Sequence, residues 1–221
     1  MKKNYTHISV LLDRTGSMDS IRDDIIGGFN AFLEEQEKEP GAATLTLVQF
    51  DSQNPYEIIH DFKPLADVPK LTRTSYVPRA STPLLDAMGR AINDLESKIA
   101  EKTEEERPEK VIMAVITDGR ENASREFRKD QVEKMIKERT EKDGWQFVFL
   151  SADLAAIRDA MATGFRADTV LVFNKTADGT RGAYQSLSNQ MSGFRSGKKN
   201  KLDFDDADRK SEDDPLKKKP N

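Results

Sequence analysis

The stretch Leu-Leu-Asp-Arg-Thr-Gly-Ser-Met at residues 11–18 joins an apolar run to three evenly spaced oxygen-bearing side chains. The apolar run, residues 8–12, is typical of a buried strand. Asp13, Thr15 and Ser17 then follow at every second position. Carboxylate and hydroxyl oxygens are the ligands that hard divalent cations prefer in proteins. The stretch therefore predicts a core strand that ends in one part of a cation site.

The composition excludes or disfavours several classes of protein and several kinds of metal or catalytic site. The chain has 221 residues, enough for one sizeable domain with its own core. Its formal net charge is −4, without the basic surplus of a nucleic-acid-binding protein, so we expect no nucleic-acid partner. The absence of cysteine excludes disulfides and thiolate zinc sites. The two histidines are too few to favour a histidine-rich metal site or a histidine-driven hydrolase.

The N-terminal segment starts basic and then turns apolar, as a signal peptide does. Its apolar run of about five residues is short of the roughly 7–15 residues of a signal-peptide core, and Asp13 ends it. No apolar stretch reaches the length of a membrane span. We therefore expect a cytoplasmic protein with no membrane partner.

Short apolar runs alternate with amphipathic helical patterns along most of the chain, which predicts a doubly wound α/β sheet. Strands are expected near residues 8–12, 45–50, 56–62, 111–116, 145–150 and 169–173, and helices near residues 21–33, 84–99, 124–141, 154–161 and 178–193. Turn-forming residues at 51–55 separate two strands, so we expect that pair to be antiparallel. The run 111–116 is the most apolar and is typical of a central parallel strand.

The composition changes near residue 196. From there on, lysines and acidic residues come in blocks and aromatic residues almost vanish. Such a composition is typical of a disordered segment. We therefore expect one domain over residues 1–195 and a charged, disordered C-terminal tail over residues 196–221.

Oxygen-bearing side chains also lie at the ends of two other predicted elements. Ligands of an open α/β sheet bind at the carboxyl ends of the strands, where the strand order reverses. Asp118 follows the central strand, and Thr82 precedes the second helix, whose N-terminus should open on the same side. We therefore expect one crevice to contain Asp13, Thr15, Ser17, Thr82 and Asp118. This all-oxygen set suits Mg²⁺, with Mn²⁺ or Ca²⁺ as alternatives.

These segments resemble the metal-ion-dependent adhesion site (MIDAS) of von Willebrand factor A (vWA) domains. The pattern Asp-x-Thr-x-Ser at residues 13–17 is similar to the family's Asp-x-Ser-x-Ser motif. Thr82 and the Thr-Asp-Gly at residues 117–119 match the second and third motifs, in the same order. Gly16 and Met18 fit the common microbial form, so the chain resembles a small, stand-alone, intracellular microbial or phage member of the family.

The resemblance covers roughly residues 5–175. It implies a Rossmann-like six-stranded sheet, mostly parallel, with one antiparallel edge strand and helices on both faces. It also implies that Thr15, Ser17 and Thr82 supply hydroxyl ligands. Asp13 and Asp118 would bind the ion directly or through water. An Asp or Glu of a protein partner, such as an AAA+ ATPase or a larger assembly, would complete the coordination shell. Threonine stands at position 15 where the family usually has serine, and it keeps the hydroxyl.

Each segment also has a purely structural interpretation. Ser17 or Asp19 could cap the first helix. Thr82 before Pro83 is a suitable N-cap followed by proline at the first helical position. Asp118-Gly119 is an ordinary turn pair. Three segments in the family's order, each at the end of an element, favour the metal site over these separate interpretations.

Three functions are compatible with the sequence. The first is a metal-dependent protein-binding module, which is not an enzyme and which we expect here. The second is a Mg²⁺-dependent phosphatase or phosphotransferase with Asp13 as nucleophile. Enzymes of that kind need a second aspartate two residues later, where this chain has Thr15. The third is a structural subunit with a vestigial site.

Overall fold

The computed structural model of the chain describes residues 1–211 and 214–217 and contains one six-stranded sheet. The strands are β1 (Lys2–Asp13), β2 (Ala42–Asp51), β3 (Asn54–Pro64), β4 (Pro108–Thr117), β5 (Gln146–Ser151) and β6 (Val170–Val172). Their order across the sheet is β3-β2-β1-β4-β5-β6. All neighbouring strands are parallel except β2 and β3, which pair antiparallel at one edge. The predicted mostly parallel sheet with one antiparallel edge strand is confirmed.

Helices cover both faces of this sheet. On one face lie α1 (Arg22–Lys38) and α5 (Ala177–Arg195). On the other lie α2 (Leu84–Ala100), α3 (Lys129–Asp143) and α4 (Leu154–Met161). The predicted doubly wound arrangement is therefore also confirmed. In the described part of the chain, no helix is both long and apolar enough to cross a membrane.

The central strands β1 and β4 set the position at which the strand order reverses. Leu12 of β1 pairs with Ile116 of β4, and both side chains belong to the core on the α1 face. The preceding pair, Leu11 and Val115, belongs to the core on the α2 face. Side chains alternate in this way along a strand, so both central strands are apolar on both faces. Their carboxyl ends lie side by side at the reversal point, where α/β sheets bind ligands.

The glycine pair Gly27-Gly28 in α1 is explained by contact with another helix. A glycine pair inside a helix is costly by propensity, and close packing of the helix on the sheet is the explanation expected from the sequence. The structure places Gly28 against α5 instead, where a Cβ at Gly28 would lie 2.2 Å from Cδ2 of Tyr184. A Cβ at Gly27 would have no neighbour within 4 Å. Gly28 alone therefore lets the tyrosine ring lie directly on the backbone of α1.

Gly28→Ala is expected to lower the free energy of unfolding by roughly 1–3 kcal/mol, because the buried Tyr184 ring has to move. Gly27→Ala is the matched control and is expected to raise it by up to about 1 kcal/mol, since alanine is the better helix former. Chemical denaturation of both variants checks the opposite signs. Stabilisation by both substitutions would contradict the packing of Tyr184 on Gly28.

Residues 196–211 and 214–217 pack against the domain, whereas the sequence predicts disorder for this segment. Leu202 is fully buried and Phe204 nearly so. The amide N–H of Phe204 donates to the carbonyl of Asp168, at 2.7 Å. Two apolar residues among many charges were too few to predict a docked segment from composition. The predicted disorder of residues 212–213 and 218–221 lies outside the described residues.

Arg209 fastens this C-terminal segment next to the edge strand β6. Its guanidinium donates to the carbonyls of Ala167 and Val170, each at 3.0 Å. It also pairs with Asp214 at 3.0 Å, and both side chains are buried. A buried arginine that satisfies backbone carbonyls holds a segment that has little apolar surface of its own.

Candidate metal centre

The carboxyl end of β1 delivers Asp13 into the interior at the reversal point. Its side chain is fully buried, and both carboxylate oxygens accept hydrogen bonds. The Thr15 amide N–H donates to Oδ1 at 2.6 Å, and the Thr117 hydroxyl donates to Oδ2 at 2.5 Å. Tyr76 donates to the Asp13 carbonyl at 2.6 Å. These contacts fix the aspartate and join the ends of β1 and β4.

Ser17 and Asp118 meet across the same two strand ends. The Ser17 hydroxyl donates to Asp118 Oδ1 at 2.5 Å, and it lies 3.3 Å from the hydroxyl oxygen of Thr15. Ser17 is exposed, whereas Thr15 and Asp118 are buried. Three oxygen-bearing side chains therefore form a small group that is open to solvent on the side of Ser17.

Thr82 brings a separate loop to this group. The nearby Gly119 shows how close the hydroxyls are, because a Cβ there would lie 3.5 Å from Ser17 Oγ and 3.7 Å from Thr82 Oγ1. Absence of a side chain at Gly119 keeps the space between these hydroxyls clear. The five residues predicted from the sequence thus lie together at one end of the sheet.

The structural interpretations of Ser17 and Thr82 do not describe what these side chains do. Helix α1 begins at Arg22, with Ile21 at the N-cap and no side-chain cap. Helix α2 begins at Leu84 after Pro83, again with no side-chain cap. Neither hydroxyl serves as the helix cap that its position in the sequence suggests.

The loop after β4 explains the position of Thr82. The Thr82 amide N–H donates to Asn122 Oδ1 at 2.8 Å, and the Asn122 amide N–H donates back to the Thr82 carbonyl at 3.0 Å. Glu121 accepts the amide N–H of Leu85 in the first turn of α2, at 2.9 Å. These bonds lock the Thr82 loop to the Asp118 loop, which is the structural role of the acidic and amide residues at 121–122.

Asp86 of α2 holds the remainder of that loop in a non-helical conformation. Its carboxylate accepts the amide N–H groups of Arg125, Glu126 and Phe127 at 2.8–2.9 Å. Helix α3 consequently begins at Lys129, several residues after the start near 124 that the sequence pattern predicts. Tertiary hydrogen bonds outweigh local helix propensity here.

Ion pairs around the buried Asp51 hold two of the site's segments against the end of β2. Asp51 Oδ2 accepts from Nε of Arg14 at 2.6 Å and from Nε of Arg79 at 3.0 Å. Arg14 lies between Asp13 and Thr15 in the sequence, and Arg79 lies in the loop that leads to Thr82. The two backbones also meet, since the Arg79 amide N–H donates to the Arg14 carbonyl at 2.8 Å. Asp51 therefore positions both segments.

Lys175 is a member of the site that the sequence analysis missed. Its ammonium nitrogen lies 2.9 Å from Asp118 Oδ2. Oδ2 is buried and has no aligned hydrogen-bond donor among the described residues, so the contact is a charge pair only. The one available signal was that Lys175 follows the last predicted strand, whose carboxyl end lies on the same side as the ends of β1 and β4.

The electrostatics of the crevice favour the arrival of positive charge. Burial, together with the negative charge of Asp118, raises the pKa of Asp13 to about 6, against the hydrogen bonds from Thr117 and Thr15. The carboxylates of Asp13 and Asp118 are the two acidic groups whose charge a divalent cation would offset. Asp118 Oδ2, which is buried and accepts no hydrogen bond among the described residues, is available to it if the Lys175 ammonium moves away.

The donor set fits a hard divalent cation. All five candidate ligands offer oxygen, and the carboxylates are accompanied by hydroxyls rather than by imidazole or thiolate. Among the described residues, no group of three or more His, Cys, Asp or Glu side chains could hold a metal ion. Any cation in this crevice would therefore depend on the hydroxyls of Thr15, Ser17 and Thr82.

Comparison with solved structures supports the fold at low sequence identity. The zinc-occupied MIDAS form of proximal thread matrix protein 1 from the mussel byssus has a TM-score of 0.59 and 12% identity, over 85% of this chain and 46% of that chain. A von Willebrand factor type A structure from Catenulispora acidiphila has a TM-score of 0.58 and 11% identity, over 86% and 43%. Manganese-loaded TRAP protein from Plasmodium vivax has a TM-score of 0.54 and 11% identity, over 79% and 70%.

The chain spans less than half the length of the first two of these proteins. No family model matches the sequence, and no curated protein matches it. Identities of 11–12% show the shared fold alone. That fold agrees with the observed sheet order and the antiparallel edge strand. The chain therefore has the α/β Rossmann-like fold of a von Willebrand factor A domain.

Proposed function

We propose that this chain is a divalent-cation-dependent protein-binding module whose site is built from Asp13, Thr15, Ser17, Thr82 and Asp118. The observation that carries the proposal is the convergence of these oxygens from three loops on one crevice, where the buried Asp118 Oδ2 accepts no hydrogen bond among the described residues and faces only the Lys175 ammonium. Two structural neighbours, one with a zinc-occupied MIDAS motif and one loaded with manganese, support a divalent cation. We propose Mg²⁺ as the resident ion.

The residues of the crevice would divide the work of holding such an ion. Asp13 and Asp118 supply negative charge, and the hydroxyls of Thr15, Ser17 and Thr82 add neutral oxygen donors. When bound, the cation supplies a Lewis-acidic position that attracts an acidic ligand. Ser17 lies on the exposed side, so a carboxylate of a protein partner could approach from there.

A protein partner with an accessible Asp or Glu follows from this chemistry. The partner would add the oxygen that the chain's own residues do not supply, so binding would require both the cation and the acidic residue. A cytoplasmic setting and a partner such as an AAA+ ATPase or a larger assembly are part of the same proposal, and they rest on the sequence resemblance.

The arrangement of Asp13 argues against the phosphatase alternative. Both of its carboxylate oxygens accept hydrogen bonds inside the protein, and the side chain has no exposed surface. A nucleophilic aspartate needs an oxygen that faces the substrate. Position 15 carries threonine, which cannot act as the second acid and base. We therefore propose binding without turnover.

Calorimetric titration of Mg²⁺, Mn²⁺ and Ca²⁺ into EDTA-treated protein, carried into the millimolar range, tests the proposal. Asp118→Asn and Ser17→Ala are each expected to weaken cation binding at least about tenfold, since each removes a charge or an oxygen donor from the site. Asp19→Asn is the matched control, because Asp19 is an exposed acid two residues from Ser17. Its affinity should stay close to that of the wild type.

Two results would contradict the proposal. If all variants bound the cation with the wild-type affinity, the bound ion would have to lie outside the crevice formed by these five residues. No binding by the wild type, together with no cation-dependent rise in melting temperature, would favour the vestigial site.

A further inference from the structure

Lys175 lies on a short connection whose backbone is fixed. The connection joins β6 to α5, and the Thr176 side chain caps α5 by accepting the Gly179 amide N–H at 3.0 Å. A Cβ at Gly179 would lie 2.3 Å from the carbonyl oxygen of Asn174, so the first turn of α5 lies directly on this connection. The position of the Lys175 Cα is therefore set by the fold, and only the side chain is free to move.

The ammonium of Lys175 is the counter-charge of the Asp118 carboxylate in the crevice. It lies 2.9 Å from Asp118 Oδ2, an oxygen that has no exposed surface and no aligned hydrogen-bond donor among the described residues. The lysine side chain itself is 42% exposed. It can therefore leave the carboxylate and enter solvent more readily than a fully buried lysine could.

We propose that Lys175 is a tethered counter-cation that competes with the divalent cation for Asp118 and so sets the cation affinity, an inference that rests on the proposed function. Without a divalent cation, the ammonium compensates the buried carboxylate of Asp118. A dication close to Asp118 repels this ammonium at short range, because like charges a few ångströms apart interact strongly even near a protein surface. Cation binding therefore includes the displacement of Lys175, and the affinity is lower than the oxygen ligands alone would give.

Lys175→Met tests the inference, since methionine keeps an unbranched side chain and removes the charge. Its affinity for Mg²⁺ and Mn²⁺, measured by calorimetry, is expected to rise roughly tenfold, with the two ions titrated separately. Lys175→Arg keeps the charge and should stay near the wild-type affinity. Lys3→Met makes the same charge change on the exposed N-terminal part of β1, at the opposite end of the sheet, and should also stay near it.

The melting temperature of the EDTA-treated proteins gives a second readout. Lys175→Met is expected to melt below the wild type without a cation, because Asp118 loses its counter-charge, and to recover when the cation is saturating. A lysine that only stabilised the fold would lower the melting temperature in both conditions and leave the affinity unchanged.

The outcomes separate this inference from the proposed function. Tighter binding by Lys175→Met than by the wild type and the two control variants supports the inference. Equal or weaker binding by Lys175→Met overturns it while leaving the cation site in place. Absence of binding by every protein, Lys175→Met included, overturns both.

Discussion

Asp51→Asn is expected to lower the free energy of unfolding by about 3 kcal/mol, because it removes the carboxylate that compensates a buried arginine. Asp51 is fully buried, and the Arg14 side chain is 7% exposed. Asparagine keeps the shape of aspartate, and its one side-chain oxygen can still accept hydrogen bonds from the turn that follows β2. It leaves the Arg14 guanidinium without its buried counter-charge. Glu57, the other acidic partner of Arg14, is 39% exposed and compensates less.

The state of Asp51 in the folded protein fits this role. Burial by itself raises the pKa of Asp51, but hydrogen bonds from Arg14, from the amides of Asn54 and Gln53, and from Arg79 outweigh burial and lower the pKa below its ordinary value. The carboxylate is therefore ionised at neutral pH. Its contribution to stability is present above the unfolded-state pKa and is lost as the pH falls through the lowered one.

Chemical denaturation at neutral pH checks the effect of Asp51→Asn. Asp23→Asn is the matched control, because Asp23 pairs with Arg73 on the surface, with both side chains more than half exposed. An exposed pair contributes little, so this variant should be indistinguishable from the wild type. Because Asp51 positions Arg14 and Arg79, Asp51→Asn should also weaken cation binding. Wild-type stability of Asp51→Asn would contradict the role of these ion pairs.

Acidification is expected to destabilise the protein through His7. His7 lies in β1 with no exposed surface, its Nδ1 lies 2.9 Å from the Thr44 hydroxyl, and its ring stacks on Phe62 at 3.8 Å. Burial, with a smaller contribution from the positive charges of Lys102 and Lys98, lowers its pKa from 6.5 to about 3. The histidine is therefore neutral in the folded protein at neutral pH.

The sign of the pH effect follows from the lowered pKa. Between pH 6.5 and pH 3 the unfolded chain binds a proton at His7 that the folded protein does not bind, so stability falls as the pH falls. One pKa unit corresponds to about 1.4 kcal/mol, so His7 should remove about 2 kcal/mol of stability between pH 7 and pH 5. The full loss, on the order of 5 kcal/mol, is reached near pH 3.

Comparison with His7→Phe isolates this contribution. Asp13 acts in the opposite direction in metal-free protein, because its raised pKa makes the folded state bind a proton more readily. Phenylalanine keeps a ring against Phe62 and has no titratable group. The stability difference between wild type and variant should shift by about 2 kcal/mol between pH 7 and pH 5. A difference independent of pH would show that His7 does not stay neutral in the fold.

Local sequence patterns were sufficient for the sheet. Apolar runs such as 111–116 predict buried strands because burial on both faces leaves no place for polar side chains. The turn residues at 51–55 predict the antiparallel edge because they allow only a short reversal. Periodicity was weaker at helix ends, where the start of α3 depends on Asp86 on another helix. Composition gave the wrong prediction for the described residues after 196, because the contact of Arg209 with β6 cannot be inferred from residue composition.

Some features of the candidate site follow from local sequence patterns, and others depend on tertiary contacts. Asp13, Thr15 and Ser17 are close in sequence, and Asp118 follows a parallel strand that is a natural neighbour of β1, so the sequence alone predicts that these residues and Thr82 share one crevice. Whether these residues bind a cation stays a prediction. The residues that contact these five side chains could not be predicted from the sequence. A pattern of residue types contains no information on the distance between segments far apart in the chain.

By itself, the amino-acid sequence determined the order of strands and helices, the all-oxygen character of the site and the end of the sheet at which it lies. It did so because periodicity and residue type act locally, and because parallel strands place their carboxyl ends on one side. Only the tertiary structure decided that Asp51 secures Arg14 and Arg79, and that Lys175 faces Asp118. These are contacts between side chains remote in sequence, and they exist only once the core has packed and fixed the distances between the loops.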